Sequence, residues 1–110
     1  MATQLQKLTD AVLRFRDARD WKQFHNPKDL ALALSIEAAE LNEVFLWKSP
    51  DAADKKRIAE ELADVFIYSL LLAYESGVDI AEAVNRKIRA NQKKYPVKKA
   101  KGNARKYVEL

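Results

Sequence analysis

The feature that most constrains this chain is an apolar segment, VFIYSLLLAY, which spans Val65–Tyr74. The segment is too short to cross a bilayer, because a membrane-spanning helix needs about 20 apolar residues. As a helix it carries apolar side chains on nearly every side, so it has to be buried on several sides at once. A chain of 110 residues can bury such a helix by packing it against a second copy of itself. We therefore expect a homo-oligomer.

Hydrophobic periodicity and helix-end signals predict four helices and no strand. Apolar residues recur every three or four positions, which is typical of an amphipathic helix. Asn or Ser followed by Pro is typical of a helix start, and Gly of a helix end. The predicted helices cover roughly residues 3–19, residues 26 to 45 or 46, residues 49–77 and residues 79–95. The expected fold class is therefore all-α, with a four-helix bundle-like subunit.

Charge divides the chain unevenly. The formal net charge is +4, of which residues 93–110 carry +6 from seven Lys or Arg and one Glu, so that residues 1–92 sum to −2. We predict a helical domain over residues 1–95 and a basic tail over residues 96–110. The tail is either a solubilising end or a phosphate-binding segment. Nucleic acid is the less favoured partner, because a nucleic-acid-binding domain normally carries its positive charge on a folded face.

Cysteine usage and the first residues bear on the compartment. The chain has no Cys, so disulfides and thiolate metal sites are excluded. No charged segment followed by an apolar one opens the sequence as in a signal peptide. We expect a cytoplasmic protein that does not associate with a membrane.

The segment SIEAAELNEVFLWK places three glutamates, Glu37, Glu40 and Glu43, three residues apart on an otherwise apolar helix. The segment EELAD repeats this spacing with Glu61 and Asp64. Residues three apart are neighbours on one side of a helix, so these carboxylates repel each other. Lys and Arg are absent from residues 30–45, and the first group therefore has no cation of its own to balance it.

These carboxylates form either an ordinary solvated stripe or a metal site, and spacing alone favours the stripe. Carboxylate oxygens on two antiparallel helices can bind Mg²⁺ or Mn²⁺. Zinc is disfavoured because the chain has no Cys and a single His. A di-iron bundle would need Glu-x-x-His on its helices, whereas His25 lies in the predicted connector. Since Mg²⁺ commonly joins protein carboxylates to substrate phosphates, a metal site would indicate phosphate-ester chemistry.

The two carboxylate pairs occur in the order Glu-x-x-Glu, 20 intervening residues, then Glu-x-x-Asp. This order and spacing resemble the signature of the MazG-like, all-α nucleoside triphosphate pyrophosphohydrolases. Ile36 stands where the family usually has the first Glu of Glu-Glu-x-x-Glu. The resemblance extends from about Leu8 to Leu110 and is strongest to the dCTP pyrophosphatase branch. The segments that carry it are RDWKQFHNPKDLALAL, EAAELNEVFLWK, EELADVFIYSLLLA, VDIAEAV and ARKYVEL.

The resemblance implies a catalytic metal site and a reaction. Water would attack the α-phosphorus of a nucleoside triphosphate, first choice dCTP or a modified dCTP, releasing the monophosphate and pyrophosphate. One of the ligands, or Glu43 or Glu60, would take the proton of that water. The fold would be that of the all-α pyrophosphatases, assembled as a dimer of dimers, and the role would be nucleotide-pool cleaning. The implied Mg²⁺ ligands are Glu37, Glu40, Glu61 and Asp64.

The resemblance also implies a substrate pocket. Trp21, His25 and Trp47 match family positions around the base, and Tyr68 lies one helical turn after Asp64. Without the resemblance, each Trp could equally be a half-buried core or interface residue, whereas the favoured interpretation of His25 is a connector histidine bonded to backbone. Candidate triphosphate or sugar contacts, which could otherwise form an ordinary polar face, are Lys87, Asn91 and Tyr95. The ending ARKY matches the family's tail, which would fold over the phosphates or a neighbouring subunit.

A rival hypothesis from another class is a non-catalytic helical interaction module. In that case the carboxylates are a solvated stripe and the basic tail binds nucleic acid. Hydrolysis of a nucleotide distinguishes the two hypotheses.

Overall fold

The computed structural model describes all 110 residues, Met1–Leu110, and every regular element in it is helical. The all-α prediction is confirmed. Three short 3₁₀ turns join or follow the α-helices, at Lys22–Phe24, Pro50–Ala52 and Tyr107–Glu109. The α-helices are α1 (Gln4–Ala18), α2 (Pro27–Glu43), α3 (Lys55–Glu75), α4 (Ile80–Lys94) and α5 (Val97–Ala100).

The predicted helix ends agree with the structure at several caps. Asn26 precedes α2, and its side-chain oxygen accepts a hydrogen bond from the Asp29 N–H at 2.9 Å. Asp79 caps α4 in the same way through the Glu82 N–H at 3.1 Å. Gly77 follows α3 with φ +67°, a left-handed conformation that glycine adopts without steric cost. Local side-chain chemistry therefore sets these ends.

The predicted start of the third helix at Ser49-Pro50 is wrong. Pro50 begins only a 3₁₀ turn, after which Ala53 is extended with ψ 141°. Asp54 then supplies the real cap, because its carboxylate accepts the Lys56 N–H at 3.0 Å. The second helix also ends earlier than predicted, at Glu43, and the backbone continues in tighter turns. The short helix α5 falls inside the predicted tail.

Backbone packing divides the chain into two units, Met1–Val78 and Asp79–Leu110. In the first unit, α3 lies against α2 and, over a smaller surface, against α1. The buried apolar residues of this unit are Leu30, Val44, Leu70, Leu71 and Ala73. Helix α3 is therefore the centre of the first unit, as its apolar composition requires.

Much of the apolar surface of α2 and α3 is nevertheless exposed in the single chain. Phe66 lies in the segment that we expected to be buried on several sides, yet about half of it is accessible. No helix in the structure is long and apolar enough to cross a membrane. The large hydrophobic side chains that are about half exposed on these helices are Leu32, Ile36, Leu62, Phe66 and Tyr74.

The second unit contains α4, α5 and the last 3₁₀ turn. Tyr95 and Tyr107 meet edge to face, with ring centroids 6.1 Å apart. The Lys94 ammonium lies 4.9 Å from the centre of the Tyr107 ring, a distance at which a cation is attracted to an aromatic face. These contacts join the C-terminal end of the chain to the end of α4.

Candidate metal centre and adjoining cavity

Three of the predicted carboxylates meet between α2 and α3. Glu37 comes from α2, and Glu61 and Asp64 come from α3, where their spacing of three residues places them on one side of the helix. Because α2 packs along α3, one oxygen from each carboxylate lies within 4.8 Å of the other two. All three side chains are half-buried.

No Lys or Arg forms a salt bridge with the acidic cluster of Glu37, Glu61 and Asp64. One carboxylate oxygen of Glu37 and one of Glu61 are buried without a hydrogen-bond partner. Burial, followed by the neighbouring carboxylates of Glu40, Asp64 and Glu61, raises the pKa of Glu37 to about 7. Burial and the charges of Glu40 and Asp64 raise the pKa of Glu61, and Arg57 partly opposes this shift. Negative charge is therefore unfavourable here unless a cation joins it.

The donor set fits a hard divalent cation. It offers oxygen ligands only, which suit Mg²⁺ or Mn²⁺ better than zinc, and the two unpartnered oxygens are free to coordinate. The fourth predicted ligand, Glu40, is half-buried beside this group and contributes to the raised pKa of both Glu37 and Glu61. The cluster and Glu40 could together hold a metal and the phosphates attached to it.

The other two acidic candidates are on the surface. Glu43 is exposed at the end of α2, and Glu60 is exposed on α3. Their proposed part in accepting a proton stays a prediction.

A cavity of about 230 Å³ adjoins the acidic cluster in the first unit. Glu37 and Asp64 form part of its wall, so the two features are continuous. The cavity is smaller than the roughly 300–1,000 Å³ of pockets that hold a whole drug-sized ligand. A single ring system suits it better than a complete nucleotide does. Three of the predicted substrate residues also line it, namely Trp21, His25 and Tyr68.

His25 and Tyr68 are polar groups with altered titration. Burial, with the charge of Arg16 next, lowers the pKa of His25, whereas Glu75 opposes the shift. His25 Nδ1 is buried without a hydrogen-bond partner. Burial and the carboxylates of Glu37, Asp64 and Glu40 raise the pKa of Tyr68. Both side chains are thus uncharged at neutral pH and can exchange hydrogen bonds with a neutral ring.

Trp21 contributes an aromatic surface to the cavity. Its ring meets the Phe15 ring edge to face at 5.7 Å, and its backbone N–H donates to the carbonyl oxygen of Arg16 at 3.2 Å. The connector after α1 is therefore fixed to α1 itself. A half-exposed indole held in this way can stack on a base.

The remaining predicted substrate residues are not among those that line the cavity. Trp47 is 94% exposed at φ +60° and does not line the cavity. Lys87, Asn91 and Tyr95 belong to α4 in the second unit; Lys87 and Tyr95 are exposed, and Asn91 is half-buried. Their roles in substrate binding stay predictions.

Sequence reasoning missed Arg16, which is only 3% exposed and lines the cavity. Its Nη1 donates to Glu75 at 2.7 Å, and its Nε donates to Asp17 at 2.9 Å. The signal was present in the sequence, because Arg16 follows Val12 by four residues and therefore lies on the apolar face of α1. A charged residue on such a face needs partners, and the tertiary structure supplies them.

Comparison with known proteins places these features in a family. The model of the MazG-like family matches residues 32–110. Curated relatives named dCTP pyrophosphatase 1 are 45% identical in Rattus norvegicus and 40% identical in Homo sapiens, over 104 residues. Each alignment covers 87% of this chain and 61% of the relative, so the chain spans about three fifths of the length of these relatives.

A solved structure is similar over nearly its whole length. It is the crystal structure of a pyrophosphatase from Archaeoglobus fulgidus, 41% identical in sequence with a TM-score of 0.81. The match covers 87% of this chain and 95% of the archaeal one.

Proposed function

The chain belongs to the MazG-like family, and we propose that it is a Mg²⁺-dependent nucleoside triphosphate pyrophosphohydrolase. One observation carries this proposal. The uncompensated acidic cluster and the cavity share Glu37 and Asp64 as wall residues. A metal-bound triphosphate and the base of the same nucleotide can therefore occupy adjoining parts of one site.

The reaction proposed is hydrolysis between the α- and β-phosphates. A water oxygen attacks the α-phosphorus, the bond to the bridging oxygen breaks, and pyrophosphate leaves with that oxygen. A bound Mg²⁺ (or Mn²⁺) would neutralise the triphosphate and acidify the attacking water. The chain would hold the ion with Glu37, Glu61 and Asp64, supported by Glu40. One of these carboxylates, or Glu43 or Glu60, accepts the proton.

The substrate proposed first is dCTP or a modified dCTP, because the relatives are named for dCTP. Trp21 offers a stacking surface, while His25 and Tyr68 offer polar contacts inside the cavity. Trp47, Lys87, Asn91 and Tyr95 are proposed as further substrate-binding residues on the basis of the family resemblance, and the basic tail is proposed to contact the phosphates or a neighbouring subunit. We assign the protein to nucleotide-pool cleaning in the cytoplasm.

We also propose that the chain forms a homo-oligomer, a tetramer built from dimers. The half-exposed apolar side chains of α2 and α3, among them Leu32, Ile36 and Phe66, support this proposal. Burying such side chains stabilises association by about 25 cal/mol per Å² before the costs of association are subtracted. Light scattering in dilute solution tests it, and a monomeric mass would contradict it.

The decisive experiment incubates the protein with each deoxynucleoside triphosphate and Mg²⁺ or Mn²⁺ and identifies the products. We expect pyrophosphate and the nucleoside monophosphate. Orthophosphate with the diphosphate would contradict the proposed bond cleavage, and no turnover of any nucleotide would contradict the enzyme assignment.

The alternative is a nucleic-acid-binding interaction module. Its support is the net charge of the second unit, Asp79–Leu110. This unit contains ten Lys or Arg and three Asp or Glu, which gives a net charge of +7. A salt-dependent gel shift without nucleotide hydrolysis would favour it.

A further inference from the structure

We infer that Arg16 reads the base of the substrate by donating two hydrogen bonds to adjacent acceptors, O2 and N3 of cytosine. This inference rests on the proposed function for the identity of the ligand as a nucleotide. It assigns a specificity-determining role to a residue that neither the carboxylate signature nor the predicted aromatic pocket includes.

The guanidinium of Arg16 has more hydrogen-bond donors than its partners within the chain use. A guanidinium carries five N–H groups. Within the chain, Nε and Nη2 of Arg16 both lie 2.9 Å from one oxygen of Asp17, and Nη1 lies 2.7 Å from Glu75. These three contacts leave two N–H groups without an acceptor on a side chain that is 3% exposed and lines the cavity. N–H groups without an acceptor on the wall of a cavity favour a ligand that accepts from them.

The guanidinium of Arg16 is held rigidly. Its central carbon lies 5.6 Å from the centre of the Tyr74 ring, so the group is held over an aromatic ring as well as by two carboxylates. The carbonyl oxygen of Arg16 also accepts the N–H of Trp21, which ties this residue to the proposed stacking surface. A planar donor fixed in this way needs little reorganisation to meet a flat ring.

The hydrogen-bond donors and acceptors on the edge of cytosine match those of Arg16 and His25. Cytosine presents an amino donor at N4 beside acceptors at N3 and O2, whereas thymine and uracil carry an N–H at N3. Two donors from Arg16 match the cytosine pair and oppose the thymine N–H. His25 Nδ1, buried without a partner on the same cavity, can accept from the N4 amino group as a neutral imidazole.

The first measurement uses the wild-type protein and three ligands. Calorimetry compares the binding of dCMP, dTMP and 3-deaza-dCMP, in which a C–H replaces N3. We expect dCMP to bind about 10-fold or more tightly than either of the others, in line with the discrimination that bidentate contacts provide. Equal binding of dCMP and 3-deaza-dCMP, or no binding of dCMP, would overturn the inference. This comparison needs no variant, so it stands even if substitutions at Arg16 unfold the chain.

The second measurement uses Arg16→Lys, which keeps the charge and loses the planar pair of donors. We expect the preference for dCMP over 3-deaza-dCMP to fall to about 2-fold or less. Arg14→Lys is the matched control on the exposed side of α1 and should leave this preference unchanged. A folded Arg16→Lys protein that keeps the full preference would contradict a direct contact, and would leave Arg16 only its ion pairs with Asp17 and Glu75.

Turnover separates the two proposals. With dCTP, Arg16→Lys should raise KM about 10-fold while kcat stays within about 3-fold, because the acidic cluster is untouched. Discrimination against 3-deaza-dCMP without pyrophosphate release would reject the proposed function and keep this inference. Pyrophosphate release without discrimination against 3-deaza-dCMP would support the proposed function and reject the role of Arg16.

Discussion

Two groups of partly buried charges in the first unit are handled in opposite ways. Arg16 is almost completely buried and is balanced inside the chain by Asp17 and Glu75. In the acidic cluster, by contrast, Glu37 and Glu61 each keep a buried oxygen without a partner. The charge of Arg16 is thus compensated within the chain, even though N–H groups remain for a ligand. The charge of the acidic cluster is held in place by the fold and is completed only by a bound cation.

An exposed ion pair on α4 serves as the reference for these two groups of buried charges. Arg86 and Glu82 form an ion pair one turn apart on α4, but their side chains are 72% and 58% exposed. Solvent already stabilises both charges there, so the pair contributes little. The three groups therefore predict three different responses to substitution.

The largest effect is expected where charge is uncompensated. Glu61→Gln or Asp64→Asn removes a proposed metal ligand, so turnover should fall by about 100-fold or more. Thermal unfolding should stay cooperative, because removing one of several repelling carboxylates relieves repulsion. Asp51→Asn, on an exposed 3₁₀ turn, is the control for losing an acidic group. Near-normal rates in both ligand variants would reject the carboxylate assignment.

The second effect is the pH dependence of stability without metal. The folded pKa of Glu37, about 7, exceeds its ordinary value of 4.5, so the folded state binds more protons between these values. The stabilisation is complete below about pH 4.5 and is lost as the pH rises through about 7. For this single group, the slope cannot exceed about 1.4 kcal/mol per pH unit.

Urea unfolding in the presence of a chelator, from pH 4.5 to 7.5, measures this slope. Glu37→Gln cannot titrate and should make it shallower, and added Mg²⁺ should oppose the loss near pH 7. An unchanged slope in Glu37→Gln would show that Glu37 titrates normally in the folded chain.

The third effect comes from the compensated charge. Glu75→Gln leaves Arg16 buried with Asp17 as its only carboxylate, and should lower the free energy of unfolding by about 1–2 kcal/mol. Full removal of a buried partner costs about 3–5 kcal/mol, but Glu75 is 20% exposed and Asp17 remains. Asp17→Asn, on the more exposed partner, should cost less. A loss no larger for Glu75→Gln than for Asp17→Asn would contradict this ranking.

The smallest effect is expected at the exposed pair. Arg86→Ala should change the free energy of unfolding by about 0.5 kcal/mol or less, and high salt should remove the difference. Arg89→Ala, also exposed on α4, is the control for replacing Arg by Ala in that helix. A salt-insensitive loss above about 1 kcal/mol would mean that Arg86 has a partner besides Glu82.

Helix ends were predictable where the capping interaction involves only residues close together in the sequence. Asn26 and Asp79 cap the helices that the sequence assigned to them, because a cap depends on three or four consecutive residues. The start of the third helix was predicted wrongly at Ser49-Pro50, because Asp54 lies a few residues later and caps the helix instead. Where two local signals compete, the sequence predicts the element and not its first residue.

The amino-acid sequence by itself determined the all-helical fold, most helix ends and the pairing of carboxylates on each helix, because these depend on neighbours within one turn. Only the tertiary structure decided which pairs meet. Packing of α2 on α3 brought Glu37 to Glu61 and Asp64, and packing of α1 on α3 buried Arg16 against Glu75. It also left Trp47 outside the cavity. Such contacts join residues far apart in the chain, and burial then sets their pKa values and free hydrogen-bonding groups.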